Sequence, residues 1–295
     1  MKNTLYGGIE AGGTKFICAI GNDAGEIFEH IQIPTTSPEE TIAQVAEFFR
    51  NHPDIKSIGV GSFGPIDLNT KSNTYGRLLN TPKEAWARFN LLASLKVLNV
   101  NISLETDVNC SAIGEYTYGA GKDLESVVYL TVGTGIGGSC IVGEKILKGV
   151  SHSEMGHMYV PRVIGDENFE GVCPYHMNCF EGLASGPSLQ KRWETDPQNI
   201  PSNHIAWDIE AQYLAFGLSN LVTILMPNRI IIGGGVMNHQ GLIESIQKNL
   251  VDKLSGYVSI DEITNSINDY IVLPQLGDLS PVVGAIRLAS IQTTS

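Results

Sequence analysis

The chain has 295 residues, enough for one large domain or two of ordinary size, and its 42% apolar and 17% charged residues exclude general disorder. Against 31 acidic residues stand 19 basic ones, a net charge of −12 that lacks the basic face needed to grip a phosphate backbone, so no nucleic-acid partner is expected. No apolar run approaches the roughly 20 residues of a membrane span, the start turns glycine-rich too early for a secretory signal, and five cysteines fit a reducing, cytoplasmic compartment.

In chain order, Leu5 to Ile9 and Phe16 to Ile20 predict two strands around the glycine turn Glu10 to Thr14, with a third strand over Glu26 to Ile33. Ser37, Pro38 and Glu40 signal a helix start, and Ile42, Val45 and Phe49 give that helix a buried face. A short strand follows over Ser57 to Gly61. Thr81, Pro82 and Glu84 repeat the capping pattern ahead of a helix carrying Trp86, Leu91, Leu92 and Leu95. Strand-like Val100 to Leu104 runs into Glu105-Thr106-Asp107, with a helix from about Asn109. At Ser126 the order begins again: strand Val127 to Val132, glycine turn Gly133 to Gly138, strand Ser139 to Val142, turn, strand Ile146-Leu147. This reads as a degenerate internal duplication whose two glycine hairpins would face each other across a cleft. Residues 150–182 are irregular. Helices are expected over 205–226, 240–254 and 281–291, with strand Arg229 to Ile232 feeding Gly233-Gly234-Gly235.

Gly133, Gly135 and Gly138 satisfy G-x-G-x-x-G, but β-prone Ser139-Cys140-Ile141-Val142 follows where a dinucleotide site needs a helix, so that reading is rejected. A bare glycine hairpin can still aim N–H groups at phosphate oxygens, with Thr14, Thr134 and Lys15 adding donors and charge. Any one such cluster is most simply a tight β-turn. Three of them, two in the same strand pattern, favour phosphate.

His157, Cys173, His176 and Cys179 form a C-x2-H-x2-C knuckle with a distant histidine. Two lone cysteines and two surface histidines are the alternative. The interleaving favours a closed, structural zinc site, since zinc takes four Cys and His ligands in a tetrahedron. One ring nitrogen of His157 could then bind metal while the other meets a hydroxyl. Asp107, between a strand and a helix, is by position most often an N-cap. Ser185-Gly186-Pro187 is either an ordinary helix start or one whose N–H groups face a nucleotide. Cys18, Cys110 and Cys140 read as buried thiols.

Gly8-Ile9-Glu10-Ala11-Gly12-Gly13-Thr14-Lys15 resembles the first phosphate motif of the sugar-kinase, actin and Hsp70 superfamily, Gly133 to Gly138 its second, and Ile231 to Val236 its adenosine motif. Within it the chain is similar nearly end to end to the ROK family of repressors, open reading frames and kinases, carried also by Gly64-Pro65-Ile66-Asp67, Glu105-Thr106-Asp107-Val108-Asn109 and Glu154-Met155-Gly156-His157. Glu10 and Thr106, where many relatives have Asp and Asn, resemble the bacterial fructokinase branch. The resemblance implies an α/β fold of two similar actin-like (ribonuclease H-like) domains flanking a cleft, with a small zinc-bound loop insertion. The domains expected are 1–117 with the C-terminal helix 281–295, and 118–280 with the zinc loop 150–182.

It implies an ATP-dependent hexose kinase acting on the 6-hydroxyl, with fructose expected and mannose, glucose or N-acetylmannosamine as alternatives. A non-catalytic sugar-binding regulator is the other reading. The family's repressors carry an N-terminal helix-turn-helix, for which the strand beginning by Leu5 leaves no room. Asp107 matches the family's base. Gly64, Pro65, Thr106, Glu154, His157 and Glu181 match sugar contacts. Gly12, Gly13, Thr14, Lys15, Thr134, Gly135, Gly186, Pro187, Gly233, Gly234 and Gly235 match the nucleotide site. The family usually ligates zinc with one His and three Cys, so His176 is a substitution that still binds. Partners implied are a sugar, ATP with Mg2+, and a second copy as a homodimer. Glu10 is expected as an acid behind the magnesium's waters.

Overall fold

A computed structural model describes residues 4–81 and 83–292. The expected capping residue Pro82 and the end of the expected 281–295 helix lie outside them. The chain forms two compact units. The first is built from the residues up to Asp123, the short segment Ile146–His152 and the chain from Gln275 onward; the second from Leu124–Lys145 and Ser153–Pro274. Segment 146–152, expected in the second half, thus belongs to the first.

The first unit holds a five-stranded sheet in the order β3-β2-β1-β4-β5, from β1 (Leu5–Ala11), β2 (Lys15–Gly21), β3 (Ile27–Pro34), β4 (Ile55–Ser62) and β5 (Asn101–Thr106). β1 is antiparallel to β2 and parallel to β4, and β4 is parallel to β5. Helix α1 (Pro38–Arg50) starts where Ser37 Oγ accepts from the Glu40 amide, with proline in its first turn, and buries Ile42, Val45, Phe48 and Phe49. Together with Trp86, Leu91 and Leu95 these side chains cover one sheet face. The helix expected over 84–95 is broken. A single 3-10 turn, Glu84–Trp86, is followed by Arg88 at φ 61, and α2 (Leu91–Leu95) restarts on Asn90, whose side chain accepts from the Ala93 amide. Trp86 explains the break: it is 1% exposed, donates from Nε1 to the Thr36 carbonyl, and packs on Phe16, Phe63 and Phe89. That packing outweighs helix propensity.

The opposite face is covered by the C-terminal helix Ser280–Gln292, whose Val282, Ile286 and Ala289 pack with Tyr6, Ile17 and Ala19. It also lies against α3 (Asp107–Tyr118). The two cross with backbones touching, since a Cβ at Gly114 would meet the Ser280 carbonyl and one at Gly284 the Cys110 carbonyl. Near this crossing Glu115, fully buried, accepts from the amides of Ala120, Gln275 and Leu276 (2.8, 3.0 and 2.8 Å) and from Ser280 Oγ (2.7 Å). Glu115→Ala would strand three amides in the dry interior, while Ser280 Oγ keeps the Gly277 carbonyl. A loss of about 3–5 kcal/mol is expected in denaturant unfolding.

The second unit repeats the pattern. β6 (Ser126–Val132), β7 (Ile136–Val142), β8 (Lys145–Ile146), β9 (Arg229–Gly233) and β10 (Ile271–Val272) pair in the order β10-β9-β6-β7-β8. Read from the other edge this is the order of the first sheet, with the same antiparallel hairpin and parallel neighbour. The expected duplication is thus visible in topology. The third strand of the repeat has shrunk to two residues, since segment 146–152 leaves to join the first unit. Around this sheet lie α4 (Phe180–Ala184), α5 (Gly186–Trp193), α6 (Ile205–Leu225) and α7 (Leu242–Leu254). Their apolar faces enclose a core including Val128, Leu130, Phe180, Leu214, Leu218, Ile230 and Ile246. Among the described residues no helix is long and apolar enough to cross a membrane.

Candidate active site

In the first unit, strand register assembles the candidate residues. Glu10, Gly61 and Glu105 are aligned across β1, β4 and β5, and Ala11, Ser62 and Thr106 form the next row. Everything beyond that row lies at the carboxyl ends of parallel strands, where α/β sheets present their ligand-binding loops. There follow Gly12–Lys15 after β1, Gly64–Pro65 after β4 and Asp107 after β5. The first turn is closed by a bond from the Gly12 amide to the Lys15 carbonyl, and Thr35 pins it through its hydroxyl to the Gly12 carbonyl at 2.7 Å. Thr14 is exposed at its tip. Gly64–Pro65 is a cis peptide with Gly64 exposed. Lys83, which the sequence reading passed over, brings its Cε to 3.9 Å from where a side chain at Gly13 would begin.

Asp107 is not the N-cap. Thr106 fills that place: its hydroxyl, in a 4% exposed residue, accepts from the Asn109 amide at 3.1 Å. Asp107 stands one position on, half-buried, with Oδ1 accepting from the Val108 amide at 2.8 Å. The cap that would have occupied the expected base is supplied by its neighbour. Burial raises the Asp107 carboxyl to about 6, opposed by the Val108 amide and by His152. Glu10 is raised to about 7, first by burial and then by the Asp107 charge. Its Oε2 is buried without a hydrogen-bond partner.

In the second unit β6 and β9 run parallel with Thr131 opposite Gly233, so the turns after them are neighbours. Gly233–Gly235 follows β9. Gly234 has φ 97, and a Cβ there would strike the backbone of Val132. Gly234 and Gly235 are exposed, leaving a ledge of bare backbone. Gly186, first residue of α5, donates its amide to the Gly133 carbonyl at 2.8 Å. That donor is therefore spent on the second glycine turn, Pro187 has no N–H, and the Ser188 amide is capped by the Ser185 side chain. Thr134 is exposed at the turn's tip beside Gly135. Glu181 lies here too: its Oε2 accepts from the Ile136 amide at 2.9 Å, so this expected sugar contact also props the second glycine hairpin.

The four Cys and His side chains also converge, all ligand atoms lying within 4.8 Å of one another. Cys173 Sγ is 3.8 Å from His157 Nδ1 and 3.7 Å from His176 Nδ1, and Cys179 Sγ is 3.6 Å from His157 Nδ1. Zinc–sulfur and zinc–nitrogen bonds of about 2.3 and 2.0 Å, spread tetrahedrally, put sulfur and nitrogen about 3.6 Å apart. The cluster therefore fits a four-coordinate metal. Burial and the adjoining Cys173 raise the Cys179 thiol to about 11, a crowding that a cation relieves. His157 closes a 3-10 turn (Met155–His157) that begins just after exposed Glu154, and Cys179 immediately precedes α4, which carries Glu181. Cys18, Cys110 and Cys140 are buried thiols outside the cluster.

The sequence model described as ROK family matches residues 6–292, and the chain belongs to that family. It is 41% identical over 286 residues to a putative fructokinase of Bacillus subtilis (strain 168), covering 97% of this chain and 95% of that one. It is also 41% identical over 286 residues to a fructokinase of Pediococcus pentosaceus, covering 97% of each. The crystal structure of a ROK hexokinase from Thermus thermophilus superposes with a TM-score of 0.80 at 24% identity over 99% of both chains, a likeness of fold.

Proposed function

We propose that the protein is an ATP-dependent hexose kinase that phosphorylates the 6-hydroxyl of fructose. The observation that carries this reading is Asp107 standing free of the cap role in the same row of strand ends as the Gly12–Lys15 turn. The full-length likeness to fructokinases supports the choice of sugar. In the reaction Asp107 takes the proton of the 6-hydroxyl as its oxygen bonds to the γ-phosphorus, and the bond from phosphorus to the bridging oxygen breaks to release ADP. Phosphoryl transfer asks chiefly for positioning and charge neutralisation, which backbone amides and Lys15 suit at Gly12–Thr14, and bare backbone suits at Thr134–Gly135 and Gly233–Gly235. Candidate sugar contacts are Thr106, Gly64 and Pro65 in the first unit and Glu154, His157 and Glu181 in the second. An ionised carboxylate can accept from two hydroxyls at once.

Magnesium arrives with ATP and keeps most of its waters. Glu10 Oε2, buried and unpartnered, fits one of those waters. His157, Cys173, His176 and Cys179 would hold a structural zinc, whose part is to fix the loop. His157 would bind it through Nδ1, leaving Nε2 for a hydroxyl.

Release of ADP, coupled to an indicator enzyme, tests the reading with fructose, glucose, mannose and N-acetylmannosamine. Fructose should give the highest kcat/KM. Failure of every hexose would sink the proposal. Thr134→Val should raise KM for ATP about tenfold, the worth of one hydrogen bond to a charged group, with sugar KM and melting temperature unchanged. Equal losses for both ligands, tracking a lower melting temperature, would mark Thr134 as a turn residue and nothing more.

A further inference from the structure

The break in the helix expected over 84–95 carries Lys83 to the first glycine turn. The Lys83 carbonyl accepts from the Trp86 amide at 2.8 Å, so lysine and indole belong to one tight turn. Trp86 is held firmly: it is buried, its ring packs on Phe16, and its Nε1 donates to the Thr36 carbonyl at 2.9 Å. The preceding residue holds the glycine turn. Thr35 donates its hydroxyl to the Gly12 carbonyl at 2.7 Å and its amide to the Thr14 carbonyl at 2.9 Å. Two consecutive residues thus fasten both the glycine turn and the turn that carries Lys83.

As a result Lys83 Cε lies 3.9 Å from where a Cβ on Gly13 would stand, and apart from the residues flanking Gly13 no other described group comes within 4 Å of that point. Gly13 is not in the left-handed conformation, and 3.9 Å is an ordinary van der Waals distance. Neither backbone nor packing therefore demands a glycine there; the bareness suits a ligand that approaches the main chain under the lysine. Lys83 is exposed, and none of the ion pairs among the described residues uses its ammonium. In a chain of net charge −12, a cation with no carboxylate partner beside a bare backbone turn is set to receive an anion from outside.

We propose, resting on the kinase reading, that Lys83 is a further phosphate-binding residue: its ammonium, one bond beyond Cε, pairs with the terminal phosphate of ATP seated on the Gly12–Thr14 turn. Lys15 belongs to β2 at the end of that turn, whereas Lys83 reaches over Gly13 from a separate one. Asp107 follows β5 in the same row of strand ends as the turn, which makes the phosphate seated there the one transferred. Lys83 changes no bond and gives up no proton. It neutralises charge on the phosphoryl oxygens while the bridging oxygen departs with ADP.

The test compares, by calorimetry on the full chain with Mg2+, binding of ADP and of the ATP analogue with nitrogen between its β- and γ-phosphorus, beside kcat and KM for ATP and fructose. Lys83→Met keeps a stem of similar length and removes the charge. Its Kd for the analogue should rise about tenfold, the worth of one hydrogen bond between charged groups, while its Kd for ADP holds. Its kcat should fall about ten- to a hundredfold, with KM for fructose and melting temperature unchanged. Lys83→Arg should stay within about threefold of wild type on each measure, since it keeps the charge. An unmoved Kd for the analogue in Lys83→Met, or equal losses for ADP and the analogue, overturns the assignment. If wild type phosphorylates no hexose the kinase reading falls, and the two Kd values still decide whether Lys83 meets a terminal phosphate. Wild type that binds neither nucleotide sinks both.

Discussion

Asp107→Asn is expected to abolish turnover and to make the protein harder to melt. The amide keeps the size of the side chain and an oxygen to accept from the Val108 amide, so the fold should stand. What is lost is the base, worth about 100- to 10,000-fold in kcat. The gain in stability follows from the raised carboxyl. Its affinity for a proton is higher folded, at about 6, than unfolded, at the ordinary 3.8. The contribution favouring the fold is therefore complete below 3.8 and is lost as pH rises through 6. At neutral pH the ionised side chain burdens the native state by up to about 3 kcal/mol unscreened, and on the order of 1–2 kcal/mol once partial exposure is allowed for. The neutral amide removes that burden, so the variant should melt a few degrees higher near pH 8, the difference vanishing near pH 4. In the wild type kcat/KM should fall as pH drops through about 6, where the base takes up its proton. A variant with near-wild-type turnover, or one that melts lower at every pH, removes Asp107 from this role.

The second large effect concerns the metal. Purified protein should contain one zinc per chain, and Cys179→Ser or a strong chelator should remove it while the two large cores stay folded, since neither depends on one clip. Hydrogen exchange should rise over 153–182 and little elsewhere. Both ligands should suffer. Sugar affinity should fall because Glu154 and His157 lose their support. Nucleotide affinity should fall because Cys179 leads straight into α4, whose Glu181 holds the Ile136 amide of the second glycine hairpin. Losses of about ten- to a hundredfold match what supporting shells around metal sites contribute. Cys140→Ser, in β7, should change nothing. Full activity without metal, or metal lost from Cys140→Ser and kept by Cys179→Ser, would mean the cluster has been misread.

Much of this was legible because it is local. Glycine turns at strand ends, the Ser37 cap and the C-x2-H-x2-C knuckle each need only a few neighbouring residues, and each lies where its spacing predicted. The repeated strand order was legible in outline, through two hairpins and two glycine turns. What stayed hidden is set by distance along the chain or by packing. Lys148 pairs with Glu105 43 positions away, and Glu115 collects donors 160 to 165 positions downstream; nothing local marks either partner. The helix expected after Thr81 breaks because burial of Trp86 sets the path of residues 83–90, and periodicity records only that the residue is apolar. The sequence places the N-cap one residue late because Asp is on average the better cap; the backbone at Thr106, extended at φ −73 and ψ 157, decides for Thr106.

The backbone contact between α3 and the C-terminal helix has a consequence for synthesis. Strands β1 to β5 leave the ribosome before the second unit, yet one face of their sheet waits for Val282, Ile286 and Ala289, made only after it. At typical rates of about 5–20 residues per second, roughly ten to thirty seconds separate Asp123 from that helix. Throughout that interval Tyr6, Ile17 and Ala19 have no cover, while the second unit is translated in full and is free to fold. The nascent first unit is thus open to chaperones for that time, and its sheet is finished only after the whole of the second unit has been made.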